Sequence, residues 1–380
     1  MNTVPLCTVA DIIMGTAPPG DSYNLSGDGL PLIAGAGDYG PIHPTPKKWT
    51  TQPSAVSRPG DLIVCVRATI GDLNWSDREY CLGRGVAALR PRNGKLEPRY
   101  LGHFMEARKD SLAALGTGST FPAIRKNDIE TFEIPLPPLP EQKRIADILD
   151  KADAIRRKRR EVSASIGDYP LSLFMQMFGH PDPNPKDWPM LPFAKVCDSR
   201  LGKMLDAKQQ TGQHNRPYMR NLNVQWGRLD LSQVFEMDFD ESDREEFRLK
   251  SGDVLICEGG AGVGQTAIWR DEIPECYFQK SLHRVRPFAD KATPEYIAFL
   301  MWTLMKGSSL LRSISSATIP HLTGEKLKDV RIPVPPLRLQ QHFTKQCQQI
   351  AVTRTKAAEG VTGSCDLFNS LVQRAFRGEL

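Results

Sequence analysis

Two glycine-rich stretches are the first places to look for chemistry: GAGDYG at 35–40 and GGAGVG at 259–264. The first satisfies G-x-G-x-x-G, but a dinucleotide site needs a helix to open there, so that its N-terminal amides face the phosphates. The next residues, PIHPTPKKW, carry three prolines and predict a loop instead. The second follows an apolar run but lacks the Gly-Lys-Ser/Thr ending of a P-loop, and reads as a turn beside a ligand or a DNA backbone. The seven histidines are dispersed, with neither an H-E-x-x-H motif nor a G-x-S-x-G elbow. DPNP at 182–185 only echoes the Asn/Asp-Pro-Pro-aromatic loop of an amino-methyltransferase and reads as a proline turn. Eight cysteines, at 7, 65, 81, 197, 257, 276, 347 and 365, form no C-x-x-C pair. That spacing suits neither zinc nor a disulfide framework, and points to a reducing cytoplasm. Adjacent carboxylates such as Glu245 and Glu246 fit a solvated face better than a metal site. No catalytic residue and no metal ligand can be named, so this chain is expected to do no chemistry itself.

Binding chemistry is better represented. The candidate DNA contacts are polar groups beside turns: Lys47, Lys48 and Trp49, then Arg67, then Ser119, Thr120, Arg125 and Lys126. Further along come Arg216, Tyr218, Arg220 and Asn223, then Gln265, Lys280, His283 and His321. Arg and Lys suit guanine edges or phosphates, and Asn or Gln suits adenine edges. For each residue singly an ordinary surface role is the commoner one, and Trp49 could equally be packed under its loop. RRKRR at 156–160 leaves two readings open: a solvated helix face, or contact with a phosphate backbone or an acidic partner.

The elements that would position these groups are written twice. IPLPPL at 134–139 returns as IPVPPL at 332–337. VPLCTVADIIMG (4–15) aligns with LPFAKVCDSRLG (191–202), RPGDLIVC (58–65) with KSGDVLIC (250–257), and PRYLGHFM (98–105) with PEYIAFLM (294–301). The offset drifts from 187 to 198 through the front of the repeat and then holds, so that Phe178 still matches Phe376. A rod that sets a distance keeps its length in this way; a loop has no reason to. Short apolar runs at Leu62–Val66, Val86–Leu89, Val254–Cys257 and His283–Val285 predict strands, and the segments from Pro98 and Pro294 predict helices.

After each proline hinge, which holds the chain extended, a long helix is expected. Ile145, Ile148, Ala152, Ile155, Val162, Ile166, Tyr169 and Leu173 outline a coiled-coil seam on the first. Unbroken from Glu141 to Phe178 it would measure about 57 Å. Phe343, Ile350, Ala357, Leu367 and Leu371 outline the second. Gly167 with Pro170, and Gly360 with Gly363, predict a kink or break along each. The simplest partner for each stripe is the other.

The expected fold class is therefore α/β (α+β). Two globular domains alternate with two long helices that pack as an antiparallel coiled coil, a pseudo-two-fold tandem repeat. The boundaries expected are 1–135, 136–180, 181–333 and 334–380. At 380 residues two domains is the prior. A net charge of +5 is compatible with nucleic acid, and no run of about 18 apolar residues could span a membrane. MNTVPLCTVADIIMG has no secretory pattern, so a cytoplasmic protein is expected.

EIPLPPLPEQKRIADILDKADAIRRKRRE with SLFMQMFGHPDPNPKDW closely resembles the central region of specificity subunits of type I restriction-modification systems. CLGRGVAALRP, RPYMRNLNVQWGRLDLS and the closing LVQRAFRGEL resemble other recurring elements of that family. The resemblance implies a non-catalytic subunit whose two target-recognition domains each read half of a split double-stranded DNA sequence. Its two helices would act as a ruler and dock two copies of a modification subunit, which bind S-adenosylmethionine. A restriction and translocation subunit would use ATP and Mg. Docking would fall on Glu141, Arg144, Ile148, Ile155, Phe174, Phe178, Gln340, Phe343 and Phe376, and no cofactor would be bound by this chain. A protein–protein scaffold that reads no DNA is the alternative.

Overall fold

The computed structural model describes residues 2–118, 122–205, 210–306 and 322–380. The chain divides into two units: Met1–Glu161 with Glu359–Leu380, and Val162–Ala358. Each unit holds one lobe and a segment of both long helices, which run Leu139–Phe178 and Leu337–Arg377.

In the first unit a four-stranded antiparallel sheet has the order Ala10–Met14, Val86–Pro91, Leu62–Cys65, Leu73–Trp75. The second unit repeats it with Cys197–Leu201, Leu282–Pro287, Val254–Cys257 and Thr266–Ile268. The strands read as continuous apolar runs because both faces are covered. Alternate side chains point to opposite faces. Leu62, Val64, Ala87 and Leu89 thus enter one core, with the helix Pro98–Ala107, while Ile63, Cys65, Val86 and Ala88 enter another. Gly60 and Gly252 both sit at φ +89, a left-handed conformation that glycine adopts freely. The aspartate after each then accepts from a turn amide, Arg58 N or Lys250 N, at 2.8 Å. The same carboxylates clamp Arg90 and Arg286 through two hydrogen bonds each. This is the physical content of the repeated Gly-Asp.

A short terminal pairing closes each lobe: Thr3–Pro5 with Glu133–Pro135, and Met190–Pro192 with Arg331–Pro333. The remaining sheets differ. The first lobe adds five strands in the order Tyr23–Asn24, Lys48–Thr50, Leu30–Ile33, Tyr80–Leu82, Val56–Ser57. The second adds three, Phe235–Asp238, Asn215–Met219 and Tyr277–Phe278, and a ribbon of Val224–Gln225 with Arg228–Leu229.

The hinge attaches each long helix to its lobe by one repeated device. Gln142 is buried near the start of the first helix, where its amide takes the Glu97 N–H and donates to the carbonyls of Lys95 and Pro137. Gln340, 198 residues on, takes the Thr293 N–H and donates to Lys291 and Pro335. Tyr100 and Tyr296 add hydroxyl bonds to the carbonyls of Pro135 and Pro333. Beside them Phe376 packs on Tyr100 and Phe104, and Phe178 on Tyr296 and Phe343.

Within each unit the helix segments run antiparallel. In the first, Arg144 reaches the Leu380 carbonyl, Arg156 lies 4.1 Å over the Phe368 ring, and Arg159 reaches the Gly360 carbonyl. In the second, Phe174 packs on Phe343, while Ile166 and Pro170 share a cavity with Ile350 and Arg354. Two expectations are corrected here. Neither helix breaks: Gly167 and Pro170 lie inside the first and Gly360 and Gly363 inside the second. Each glycine costs about 1 kcal/mol of helix propensity, which packing against the neighbouring helix overrides. The seams are also displaced. Ile155, Val162, Tyr169 and Leu367 are exposed, whereas Ala146, Leu149, Phe368 and Ala375 are buried. A seam meant only for a partner helix follows one stripe; these helices bury against their lobes as well, and the covered face moves.

Candidate nucleic-acid interface

The loops at one end of the four-stranded sheet are tied together identically in both lobes. In the first, Val66 N donates to Gly85 O at 2.8 Å and Ile124 N to Val66 O at 3.0 Å. In the second, Glu258 N donates to Ser281 O at 3.0 Å and Leu322 N to Glu258 O at 2.7 Å. These bonds gather three segments into a rim. On the first lobe it carries Arg67, Arg84 and Arg125, all exposed. Ala68, next to Arg67, has φ +61, a strained conformation of the kind concentrated at functional sites. Lys47 is also exposed and reaches the Gly37 carbonyl of the 35–40 loop at 3.3 Å.

On the second lobe the rim opens into a groove of about 630 Å³, lined by Asn221, Leu222, Gln225, Trp226, Arg228, Gln265 and the glycines 259, 260 and 262. No carboxylate is among these residues. Trp226 is braced from behind by Trp302, ring centroids 5.6 Å apart. Asn221 ties two edges of the rim together, donating its amide N–H to Gly259 O at 3.1 Å and its backbone N–H to Ser281 Oγ. Burial pushes the Cys257 thiol below this groove up to about 12, so it offers no thiolate. Among the described residues no group of three His, Cys, Asp or Glu could hold a metal ion, and no helix is long and apolar enough to cross a membrane.

Of the residues expected to touch DNA, Lys47, Lys48, Arg67, Arg125, Lys126 and Lys280 are exposed, and Gln265 faces the groove. Lys126 also pairs with Glu130 at 3.3 Å. Trp49 is half-buried opposite Asn24 and Pro31. Ser119, Thr120 and His321 lie outside the described residues. Three expectations are corrected. Tyr218 is a core residue beside Met237, Phe239 and Tyr277. Asn223 is buried, bracing its loop through the carbonyls of Asp230 and Gln233 and the Arg220 N–H. His283 is wholly buried with Nε2 2.6 Å from Leu322 O, and desolvation lowers its pKa, so it is a neutral structural group. Arg216 is half-buried near Glu275, and Arg220 lies 3.8 Å over the Phe235 ring. The rim residues missed are Arg84, which occupies the place of Lys280, together with Asn221, Gln225 and Arg228. Aligning CLGRGV (81–86) with YFQKSL (277–282) finds the first.

Among the residues expected to dock partners, exposed Arg144 pairs with half-buried Glu141, and Ile148 is half-buried. Ile155 is 52% exposed. Phe174, Phe178, Gln340, Phe343 and Phe376 are buried in the units themselves. The docking role expected of these five is corrected: they hold each lobe on its helices. The 156–160 run is likewise engaged. Arg156 and Arg157 pair with Asp153, Lys158 with Glu161, Arg159 with Gly360 O, and Arg160 lies 3.3 Å from Cys365 Sγ.

The family model described as type I restriction modification DNA specificity domain matches residues 2–163 and 185–351. A putative type I restriction enzyme MjaX specificity subunit of Methanocaldococcus jannaschii is 39% identical over 153 residues, 40% of this chain and 36% of that protein. The EcoKI specificity subunit of Escherichia coli is 22% identical over 99% of this chain and 88% of its own length. Among solved structures, a chain from a study of type I R-M complex assembly has a TM-score of 0.67 at 20% identity, covering 100% of this chain and 98% of that one. The S subunit from M. genitalium has a TM-score of 0.58 at 15% identity, covering 99% and 96%. These structural likenesses extend over both repeats and show the alternating lobe-and-helix fold.

Proposed function

This chain belongs to the type I restriction-modification DNA specificity family, and we propose on that premise that it reads the two halves of a split DNA site, one with each lobe. The observation that carries the reading is the repeated rim: two equivalent loop clusters, each presenting cations or amides, each on a lobe fixed to the helix pair by the same glutamine. Lys47, Arg67, Arg84 and Arg125 serve the first half-site, and Gln265, Lys280 and Arg228 the second. The functional division is 1–135 and 181–333 for reading, with 136–180 and 334–380 as the ruler of the unread gap.

The chain leaves the chemistry to its partners. Two copies of a modification subunit with S-adenosylmethionine methylate the site, and a restriction and translocation subunit uses ATP. Exposed Ile155 and the Glu141–Arg144 pair remain available for docking.

Methylated-base sequencing of cells carrying this chain and its modification subunit tests the reading, with a two-part motif expected. Absence of such a motif would sink it. Inserting one helical turn after Lys151 is expected to alter the gap and leave both half-sequences intact.

A further inference from the structure

The groove on the second lobe contains side chains whose hydrogen-bonding capacity is unspent. Gln265 is fixed at its backbone from both sides: its N–H donates to Gly262 O, and its carbonyl accepts from Cys257 N, each at 2.9 Å. Its side-chain amide has no hydrogen-bond partner among the described residues. Its Oε1 lies over Gly262, where a Cβ would approach to 2.9 Å, so the missing side chain leaves the amide its room. Arg228 beside it is exposed and, although its charge acts on Asp230, forms no ion pair within 4.0 Å among the described residues. Other amides of this lobe are used internally, Asn223 on its loop and Gln340 on the hinge.

The first lobe makes the contrast sharper. Asp72 holds the place of Gln265, its carbonyl accepting from Cys65 N as Gln265's does from Cys257 N, but its side chain is spent on Lys109. The first lobe thus uses this position to brace itself. In the second lobe the same backbone site presents a primary amide to an open groove free of carboxylates. An amide with one donor and one acceptor side by side matches the N6 and N7 edge of adenine in the major groove.

We propose that Gln265 is a specificity-determining residue that reads one adenine in the half-site of the second lobe, with Arg228 holding the adjoining backbone phosphate. The inference rests on the DNA-reading function above and adds the base. Gly262 is the positioning residue, since its missing side chain leaves room for the amide.

The test is methylated-base sequencing of cells in which the full chain is expressed with its modification subunit. Gln265→Ala is expected to relax one adenine of the second half-site by about tenfold or more in relative modification. The first half-site should be unchanged, which serves as the control for folding and assembly. Gln265→Glu is expected to shift the preference at that position towards cytosine, whose N4 amine donates to a carboxylate. Gly262→Ala should relax the same position, while Arg228→Ala should weaken modification evenly across sequences. Retention of every adenine requirement by Gln265→Ala overturns the proposal, as does relaxation at a guanine or thymine. Loss of all modification by Gln265→Ala overturns it too, because a groove amide with no internal bond is not needed for the fold. If the wild-type chain gives no two-part motif, the function itself falls; if the motif is present and indifferent to residue 265, only this inference does.

Discussion

The two lobes agree where they are attached and disagree where they face outward. Gln142 and Gln340, Tyr100 and Tyr296, Asp61 and Asp253 make the same bonds to the same backbone positions. At the rim the backbone ties still repeat but most side chains differ: one lobe presents Arg67, Arg84 and Arg125, the other Lys280 and a groove with Gln265 and Arg228. Even the second sheets differ in strand number. A buried polar group must find its partners or carry a large desolvation cost, so attachment tolerates little change. A rim in water is under no such constraint, and is where two specificities can diverge.

The largest test of this comparison is removal of the equivalent aromatic anchors. Phe178→Ala and Phe376→Ala should each cost about 3–5 kcal/mol, as truncation of a buried phenylalanine does. Hydrogen exchange should localise each loss to its own unit, and uniform loosening by either variant would break the equivalence. Next come Gln142→Ala and Gln340→Ala, each leaving one N–H and two carbonyls of the hinge region short of a partner. About 1–3 kcal/mol is expected from each in denaturant unfolding, and a large inequality between them would argue against a shared device.

A smaller effect sharpens the difference rather than the likeness. Burial depresses the His283 pKa, opposed by the Leu322 carbonyl and the Glu258 carboxylate. The unfolded chain binds a proton here more readily than the folded one. Stability from this site is therefore whole above the ordinary histidine value of about 6.5 and falls as pH drops through it. The equivalent position on the other lobe is Ala87, paired with Val64 as His283 is with Ile256. A pH series of urea unfolding should show the acid-side loss in the second unit, flattened by His283→Gln. The smallest effect is on DNA affinity. Arg67→Ala and Lys280→Ala should each reduce the salt slope of binding by about 0.9, without changing the sequence preferred. A slope already flat in the parent chain would favour a protein scaffold.

The features legible in the sequence are those that physics constrains locally. Prolines 137 and 138 announce the hinge, and the short apolar run Leu62–Val66 announces a strand. The misplaced residues share one cause. Tyr218, Asn223 and His283 carry polar atoms in turn-rich sequence and look solvent-facing, yet Tyr218 and His283 are enclosed by segments distant in the chain and Asn223 is spent inside its own loop. Ile155 and Leu367 were expected inside because a heptad pattern cannot tell which helix faces turn towards a lobe. Gln265 was legible as a candidate, but the placing of its unspent amide depends on Gly262 and on the Cys257 N–H that its backbone carbonyl accepts.

Ala375 and Phe376 belong to the core around Tyr100 and Phe104, so the earlier of the two units is completed only after the later one has been made. While the second unit, one uninterrupted stretch from 162 to 358, can mature as it emerges, the earlier one waits with an uncovered aromatic patch. Nascent chains stalled before residue 370 should therefore engage chaperones through the lobe of residues 2–135, and release should follow once residues 370–380 have emerged.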